Sequence, residues 1–236
     1  GKFVMKQVKT IFQREFISLL SSPAAWVFSI VFLVMCGIFT FVLDDILTIG
    51  QADLTSFFNW MPWLYIFVVP ALAMPLWAEE RSYGTIDLIL SYPVSIYQYV
   101  LGKFLAGLLL LAVSLVGTIG IPITIFILGE PDFGAIISGY IGALLVGAVF
   151  LAMSSFCSAL SKNLTESYLF SLTLCATLMF IGWERVLSAL QVHFPVAICK
   201  VISYFAIIPH YQSFQRGIID TAELAYCIFM VLFFLY

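Results

Sequence analysis

The chain has 236 residues, of which 63% are hydrophobic, 17% aromatic and only 10% charged, and its mean hydropathy is +1.10. Soluble domains carry about 25% charged residues, so this composition excludes a water-soluble globule, and the same hydrophobicity excludes an intrinsically disordered chain. The net charge of −3 argues against nucleic acid as a partner, because nucleic-acid-binding domains are basic. The composition therefore predicts one all-α, multi-pass domain over residues 1–236 in a lipid bilayer.

Residues 1–22 form the first predicted element, an amphipathic helix that lies in the membrane surface. Its apolar residues recur at helical spacing and its cationic residues lie largely opposite, which is typical of interfacial helices. Pro23 follows and is well placed to open a spanning helix, because proline is favoured at the first helical position. The apolar positions are Phe3, Val4, Val8, Ile11, Phe12, Phe16, Leu19 and Leu20, and the polar positions are Lys2, Lys6, Lys9, Gln13 and Arg14.

Six apolar runs follow that contain no Asp, Glu, Lys, Arg or His, and they predict six transmembrane helices. A bilayer core requires about 20 apolar residues in a helix. The last run is shorter than this, so we expect the final helix to extend beyond Tyr236. The runs are Ala24–Leu43, Phe57–Trp77, Phe104–Leu128, Ala135–Ser161, Ser167–Trp183 and Leu224–Tyr236.

The distribution of basic residues predicts the orientation. Lysines and arginines precede the first run and lie between runs two and three and runs four and five, whereas the first two alternate loops carry only carboxylates as charged residues, such as Asp53. Arg185, Lys200 and Arg216 lie in the third alternate loop, which is long, and the rule applies to short loops. Because cytoplasmic loops are enriched in Lys and Arg, both termini are expected in the cytoplasm and the protein in the inner (plasma) membrane. The long loop 184–223 is then outside, with His193 and His210, and Val186–Leu190 and Val201–Ile208 are predicted to form short outer helices in it.

The charge-free runs exclude several functions. Proton- or sodium-coupled transporters place ionisable residues at membrane depth, and intramembrane metalloproteases place His and carboxylate ligands there. No nucleotide-binding P-loop occurs, since Gly102-Lys103 is followed by Phe104. We therefore expect no catalytic residue, metal site or cofactor site in this chain, and an energy source outside it.

Small residues are expected to serve packing. The five cysteines form no C-x-x-C pair and are predicted to be small buried hydrophobes. Six glycines in or beside the runs are predicted to permit close contact between helices. They are Gly117, Gly120, Gly134, Gly139, Gly142 and Gly147.

Residues 78–100 form the most informative cytoplasmic loop. Three charged residues leave the membrane at 79–81, and a short helix is predicted from about Ser82 to Ser91, ended by Pro93. A second helix begins near Ser95. A compact helix with an apolar stripe is suited to dock in a groove of a soluble partner, although an ordinary re-entry loop has the same composition.

This loop resembles the cytoplasmic loop of ABC-2 type transporter permeases. The family pattern reads approximately E-E-R/K-x-x-G-T-I/L-E/D-x-L-L-x-x-P-V/I-S/T and is followed by a G/A-K pair. The stretch Pro209–Asp220 is also similar to the segment before the last helix of these permeases, and gliding-motility and copper- or nitrous-oxide-accessory export permeases are the most similar subgroup. The matching loop positions are Glu79, Glu80, Arg81, Gly84, Thr85, Ile86, Asp87, Leu88, Leu90, Pro93, Val94, Ser95, Gly102 and Lys103.

The resemblance implies a transmembrane subunit of an exporter without catalysis of its own. Such a subunit pairs with a second permease half and with two cytosolic ABC ATPase subunits, which hold ATP and Mg²⁺. Residues 1–22 would be the connecting helix and 78–100 the coupling loop. An alternative is a non-transporting membrane scaffold that recruits a soluble partner through residues 79–93. A membrane-embedded transferase is disfavoured, because the sequence contains no clustered acid–base pair. The implied coupling residues are Glu79, Glu80, Arg81, Gly84, Thr85, Asp87, Pro93 and Lys103.

The predicted orientation is tested by thiol labelling in intact cells. A cysteine introduced at Asp53 should react with a membrane-impermeant thiol reagent, because residue 53 is predicted to be outside, whereas one at Arg81 should be protected. The unmodified chain, which has five cysteines of its own, is the background control. Protection at 53 with labelling at 81 would reverse the orientation.

Overall fold

A computed structural model describes residues 2–43, 54–86, 94–129, 131–183, 186, 188, 191, 199 and 203–236. In this part of the chain all regular secondary structure is helical, which confirms the predicted all-α class. The helices are α1 (Lys2–Ser21), α2 (Pro23–Ile38), α3 (Thr55–Ala73), α4 (Pro75–Ser82), α5 (Ile96–Gly117), α6 (Gly120–Leu128), α7 (Phe133–Leu160), α8 (Leu164–Ile181), α9 (Ile207–Gln215) and α10 (Thr221–Leu235). A π-helical turn, Phe39–Leu43, continues α2.

Within the described residues, five helical stretches are long and apolar enough to cross a membrane, which confirms the first five predicted spans. Most are longer than the charge-free runs that predicted them, and the second and third each combine two helices. The sixth predicted span corresponds to α10, which has 15 residues and a length of about 22 Å. A bilayer core is about 30 Å thick, so the count of six is not confirmed. The five stretches are Pro23–Leu43, Thr55–Ser82, Ile96–Ile127, Phe133–Leu160 and Leu164–Ile181.

The outer loop differs in part from its prediction. Of the predicted helix Val186–Leu190, only residues 186 and 188 are among the described residues. Residues 201 and 202, the start of the other predicted helix, lie outside them. Ala206 has an extended backbone and precedes α9, so the predicted helix Val201–Ile208 is not continuous.

Local signals set several helix ends. Pro23 is the first residue of α2, as predicted. The side chain of Asp132 accepts a hydrogen bond from the Gly134 amide at the start of α7, at 2.8 Å. Asn163 accepts one from the Glu166 amide at the start of α8, at 2.9 Å. Such caps satisfy amides that have no partner inside the helix.

Helix α7 is the centre of the fold and packs against α3, α4, α5, α8, α9 and α10. Its residues Val146–Ser155 are buried without interruption, which is unusual for a helix that could face lipid. All five cysteines of the chain are free and buried, as predicted. The second, third and fifth candidate spans therefore all pack against α7.

Glycines let the neighbouring helices approach α7 closely. A Cβ built at three of them would lie 2.4–2.5 Å from a neighbouring side chain, much closer than any ordinary contact. This confirms the predicted role there and at Gly117, where a Cβ would be 3.0 Å from Leu33. The prediction was wrong for Gly120, which has no described atom within 4 Å, and for Gly134, which faces only its own capping Asp132. The three pairs are Gly139 with Phe58, Gly142 with Phe214, and Gly147 with Leu111.

Replacing Gly142 by alanine should destabilise the protein by about 1–3 kcal/mol, the usual cost of overpacking a core. The new methyl group would be 2.4 Å from Phe214 Cβ, so α9 must move. Gly37→Ala is the matched control, because no described atom lies within 4 Å of a Cβ there and alanine favours a helix over glycine. Thermal unfolding of the purified chain measures both. Equal stability of the two variants would contradict this packing.

Candidate functional site

The ammonium group of Lys103 is the centre of a buried polar cluster at the start of α5. The side chain is 1% exposed. Its Nζ lies 2.8 Å from Glu80 Oε1 and 3.2 Å from Glu15 Oε2, and it also donates to the carbonyl oxygen of Leu76. Three ammonium hydrogens therefore have three acceptors, so the cation is fully satisfied away from water.

Two aromatic rings complete the surroundings of this cation. Nζ lies 5.2 Å from the centre of the Trp77 ring and 5.3 Å from that of Tyr99, within the range of cation–π attraction. The Tyr99 hydroxyl also donates to Glu80 Oε1 at 3.4 Å. Glu80 thus receives two hydrogen bonds on one oxygen, and the two rings lie beside the ion pair.

The second span is broken immediately before the cluster. Pro75 begins α4, and the hydroxyl of Ser158 from α7 inserts at the break. This hydroxyl donates to the Met74 carbonyl at 2.9 Å and accepts from the amides of Trp77 at 3.2 Å and Ala78 at 3.0 Å. A hydroxyl has one hydrogen and two lone pairs, so all of its bonding capacity is used here. Ser155 Oγ accepts from the Trp77 indole at 3.1 Å, and these serines hold α4 against α7.

Helix α4 ends at a glycine. Gly84 has φ +68°, its amide donates to the Arg81 carbonyl, and the Thr85 amide donates to the Glu80 carbonyl at 2.9 Å. This is the Schellman arrangement that ends many helices. The predicted start of a helix near Ser82 was therefore wrong, because Ser82 ends a helix. Gly84 provides the left-handed conformation that this helix end requires.

The N-terminal helix α1 packs along α5 through two adjacent residues. A Cβ on Gly102 would be 2.6 Å from Ile11 Cγ2, so only glycine allows this approach. Lys103, the next residue, binds Glu15 of α1. The Gly102-Lys103 pair thus has a physical role in attaching α1, both by its shape and by its charge.

The predicted coupling residues fall into three groups. Glu80, Thr85 and Lys103 come together through the ion pair and the helix end. Glu79 is half-buried and Arg81 is exposed, and neither forms an ion pair within the part of the chain that the structure describes. Asp87 and Pro93 lie outside the described residues, and so does half of the predicted helix Ser82–Ser91, residues 87–91. The helix predicted near Ser95 is confirmed, with the Gln98 side chain accepting from the Ser95 amide at 3.1 Å.

Sequence reasoning missed Glu15 and the serines of α7. Because the apolar runs contain no charged residue, sequence reasoning also predicted that no charged residue is buried. This prediction was wrong. The runs were defined by lacking charge, whereas the helices continue past them and bury Lys103. Glu15 had a local signal in the sequence, because it lies four residues from the apolar Ile11 and from the apolar Leu19. In the structure all three are buried. Ser158 had no local signal.

Comparison with known proteins identifies the family of the chain. The family described as "ABC-2 family transporter protein" matches residues 9–235. The chain belongs to the ABC-2 transporter family. Together with the five candidate spans, this membership makes it an integral membrane protein.

One curated relative of this ABC-2 chain is the "Probable ABC transporter permease protein NosY" of Pseudomonas aeruginosa. The two are 35% identical over 113 residues, which is 44% of this chain and 40% of the relative. The matched region therefore spans less than half of either protein.

Replacing Lys103 by methionine should destabilise this ABC-2 chain by about 3–5 kcal/mol, the usual cost of leaving buried charges without their partner. The triple variant Glu15→Gln, Glu80→Gln, Lys103→Met should recover much of that loss, because it leaves no buried charge. Lys162→Met, at an exposed lysine, is the control. Thermal unfolding in one detergent measures all three. A Lys103→Met variant as stable as the wild type, or no recovery in the triple variant, would show that the cluster contributes little.

Proposed function

We propose that the chain is the transmembrane permease subunit of an ATP-binding cassette exporter. It would lie in the inner membrane with both termini in the cytoplasm and work with cytosolic ATPase subunits and a second permease half. ATP and Mg²⁺ would bind to the ATPase subunits. The family membership, the apolar spans and the named relative support this proposal.

The observation that carries the proposal is the buried ion pair at Lys103. It attaches the end of the second span to α1 and to the start of the third span, and α4 leads directly into loop 78–100. A force applied to this loop by a soluble partner would therefore act on three helices together. A loop that served only as a tether would not require a buried, fully satisfied cation at its base.

The break at Pro75 supplies the complementary feature. Helices joined by a proline break can change their relative angle without unfolding, and α3 on the other side of the break is buried along most of its length. We infer that α4, α1 and the start of α5 move as one unit relative to α3 and α7. Such rigid-body shifts are a common way to convert a local event into a change of packing.

The charged residues of the loop take different roles in this proposal. Arg81 is exposed at the end of α4 and is the residue that we assign to contact with the ATPase. Glu80, whose side chain is 15% exposed, holds α4 to Lys103 and transmits the movement. Glu79, Gly84, Thr85, Asp87 and Pro93 would shape the loop between these two functions.

This division of roles predicts two different defects. Arg81→Glu should weaken co-purification with the ATPase, since removing one partner of a charged pair at an interface costs about 2–5 kcal/mol. Glu80→Gln should leave co-purification intact but lower the substrate-stimulated ATPase activity of the reconstituted complex. Lys162→Glu is the control, because it reverses a charge at another loop. The chain without the ATPase should hydrolyse no ATP.

The same measurements separate the permease from a scaffold. A scaffold would lose binding in Arg81→Glu but would show no change of ATPase activity in Glu80→Gln. Full binding and full activity in both variants would remove the loop from the mechanism. ATP hydrolysis by the chain alone would contradict the assignment of ATP to a partner.

A further inference from the structure

A long groove lies between α1, α5 and α7 on the surface of the bundle. We call it the inner groove. Its volume is about 740 Å³, and apart from Lys9 its walls are apolar. Helix α1 contributes Met5, Val8 and Phe12, which follow one another at helical spacing.

The length of the inner groove matches one leaflet of a bilayer. Its wall on α5 extends from Leu101 to Ala112, which corresponds to about 16 Å at the helical rise of 1.5 Å per residue. Half of a bilayer's hydrocarbon core is about 15 Å. A groove of this depth and composition suits an acyl chain that lies along α5.

The charges beside the inner groove are positive. Lys9 lines it, and Lys6 lies three residues earlier, one helical turn away on the same flank of α1. Both are exposed, and neither forms an ion pair with any residue that the structure describes. No carboxylate lines the groove. The polar end of an occupant is therefore expected to be negative, because basic pockets beside spanning helices bind anionic lipid headgroups.

A second groove along the same helices provides a contrast. It shares Ala112 and Leu144 with the inner groove and continues along α5 in the opposite direction from α1, with a volume of about 440 Å³. No charged side chain lines it. Two apolar grooves thus follow one another across the membrane, and only the one that begins at α1 has cations at its end.

We propose that the inner groove is a binding site for an anionic phospholipid of the leaflet that contacts α1. One acyl chain lies against Leu101, Leu105 and Ala112, and the phosphate binds Lys9 and Lys6. The charge bias of the loops assigns this leaflet to the cytoplasmic side. The site does not depend on the proposed coupling to an ATPase.

The test uses the purified full chain in detergent with added phosphatidylglycerol or phosphatidylcholine, and native mass spectrometry counts the lipid that remains bound. The wild type should retain phosphatidylglycerol in preference to phosphatidylcholine. Lys9→Gln should lower this preference about fivefold, the effect of one basic residue near a lipid surface. Lys162→Gln makes the same change of charge at an exposed loop and should leave the preference unchanged.

A second pair of variants tests the apolar wall. Leu105→Trp fills the inner groove and should lower the number of retained phosphatidylglycerol molecules. Val116→Trp makes a comparable change in the second groove and should not. Leu105 and Val116 are both exposed on the bundle surface, at 40% and 61%, so neither variant disturbs the core. Equal retention of the two lipids by the wild type, or equal effects of Lys9→Gln and Lys162→Gln, would overturn the site and leave only non-specific lipid association.

Discussion

One buried ammonium group determines how the end of the bundle that carries α1 and α4 is organised. Moving a charge out of water costs several kcal/mol, and Lys103 is tolerated only because Glu15, Glu80 and the Leu76 carbonyl occupy all three of its hydrogens. Two of these acceptors, Leu76 and Glu80, lie on α4, and the third, Glu15, lies on α1. Lys103 of α5 therefore joins three helices, and loss of either carboxylate would leave its buried charge with fewer partners.

The rest of the bundle keeps this cluster in place. Helix α7 packs against α3, α4, α5, α8, α9 and α10, and its glycines allow α3, α5 and α9 to approach it closely. Near its C-terminal end the same helix presents serines instead of glycines. One of these serines, Ser158, binds the backbone of α4. Within one helix, small apolar residues therefore set distances in the membrane interior, and small polar residues set the position of the segment that carries Glu80.

The sequence predicted what depends on neighbouring residues and could not predict what depends on distant ones. Long apolar runs identified five spans, and Pro23 and Ser95 identified helix starts, because these signals act within one turn. Gly84 carried the usual signal of a helix end, but a helix was predicted to start near Ser82 instead of ending there. Glu15 and Lys103 are 88 residues apart, and Trp77 and Ser158 are 81 apart. No local pattern in either segment specifies such a partner, since the pairing arises only when the helices have packed.

The hydroxyl of Ser158 gives the break in the second span a cooperative character. Because one oxygen makes all three hydrogen bonds across the break, a movement that separates α4 from α7 breaks them together and not one after another. The energy of the joint therefore rises steeply at small displacements and then stops rising once these hydrogen bonds have broken. Such a joint resists weak fluctuations of the loop and gives way only to a displacement large enough to break all three hydrogen bonds.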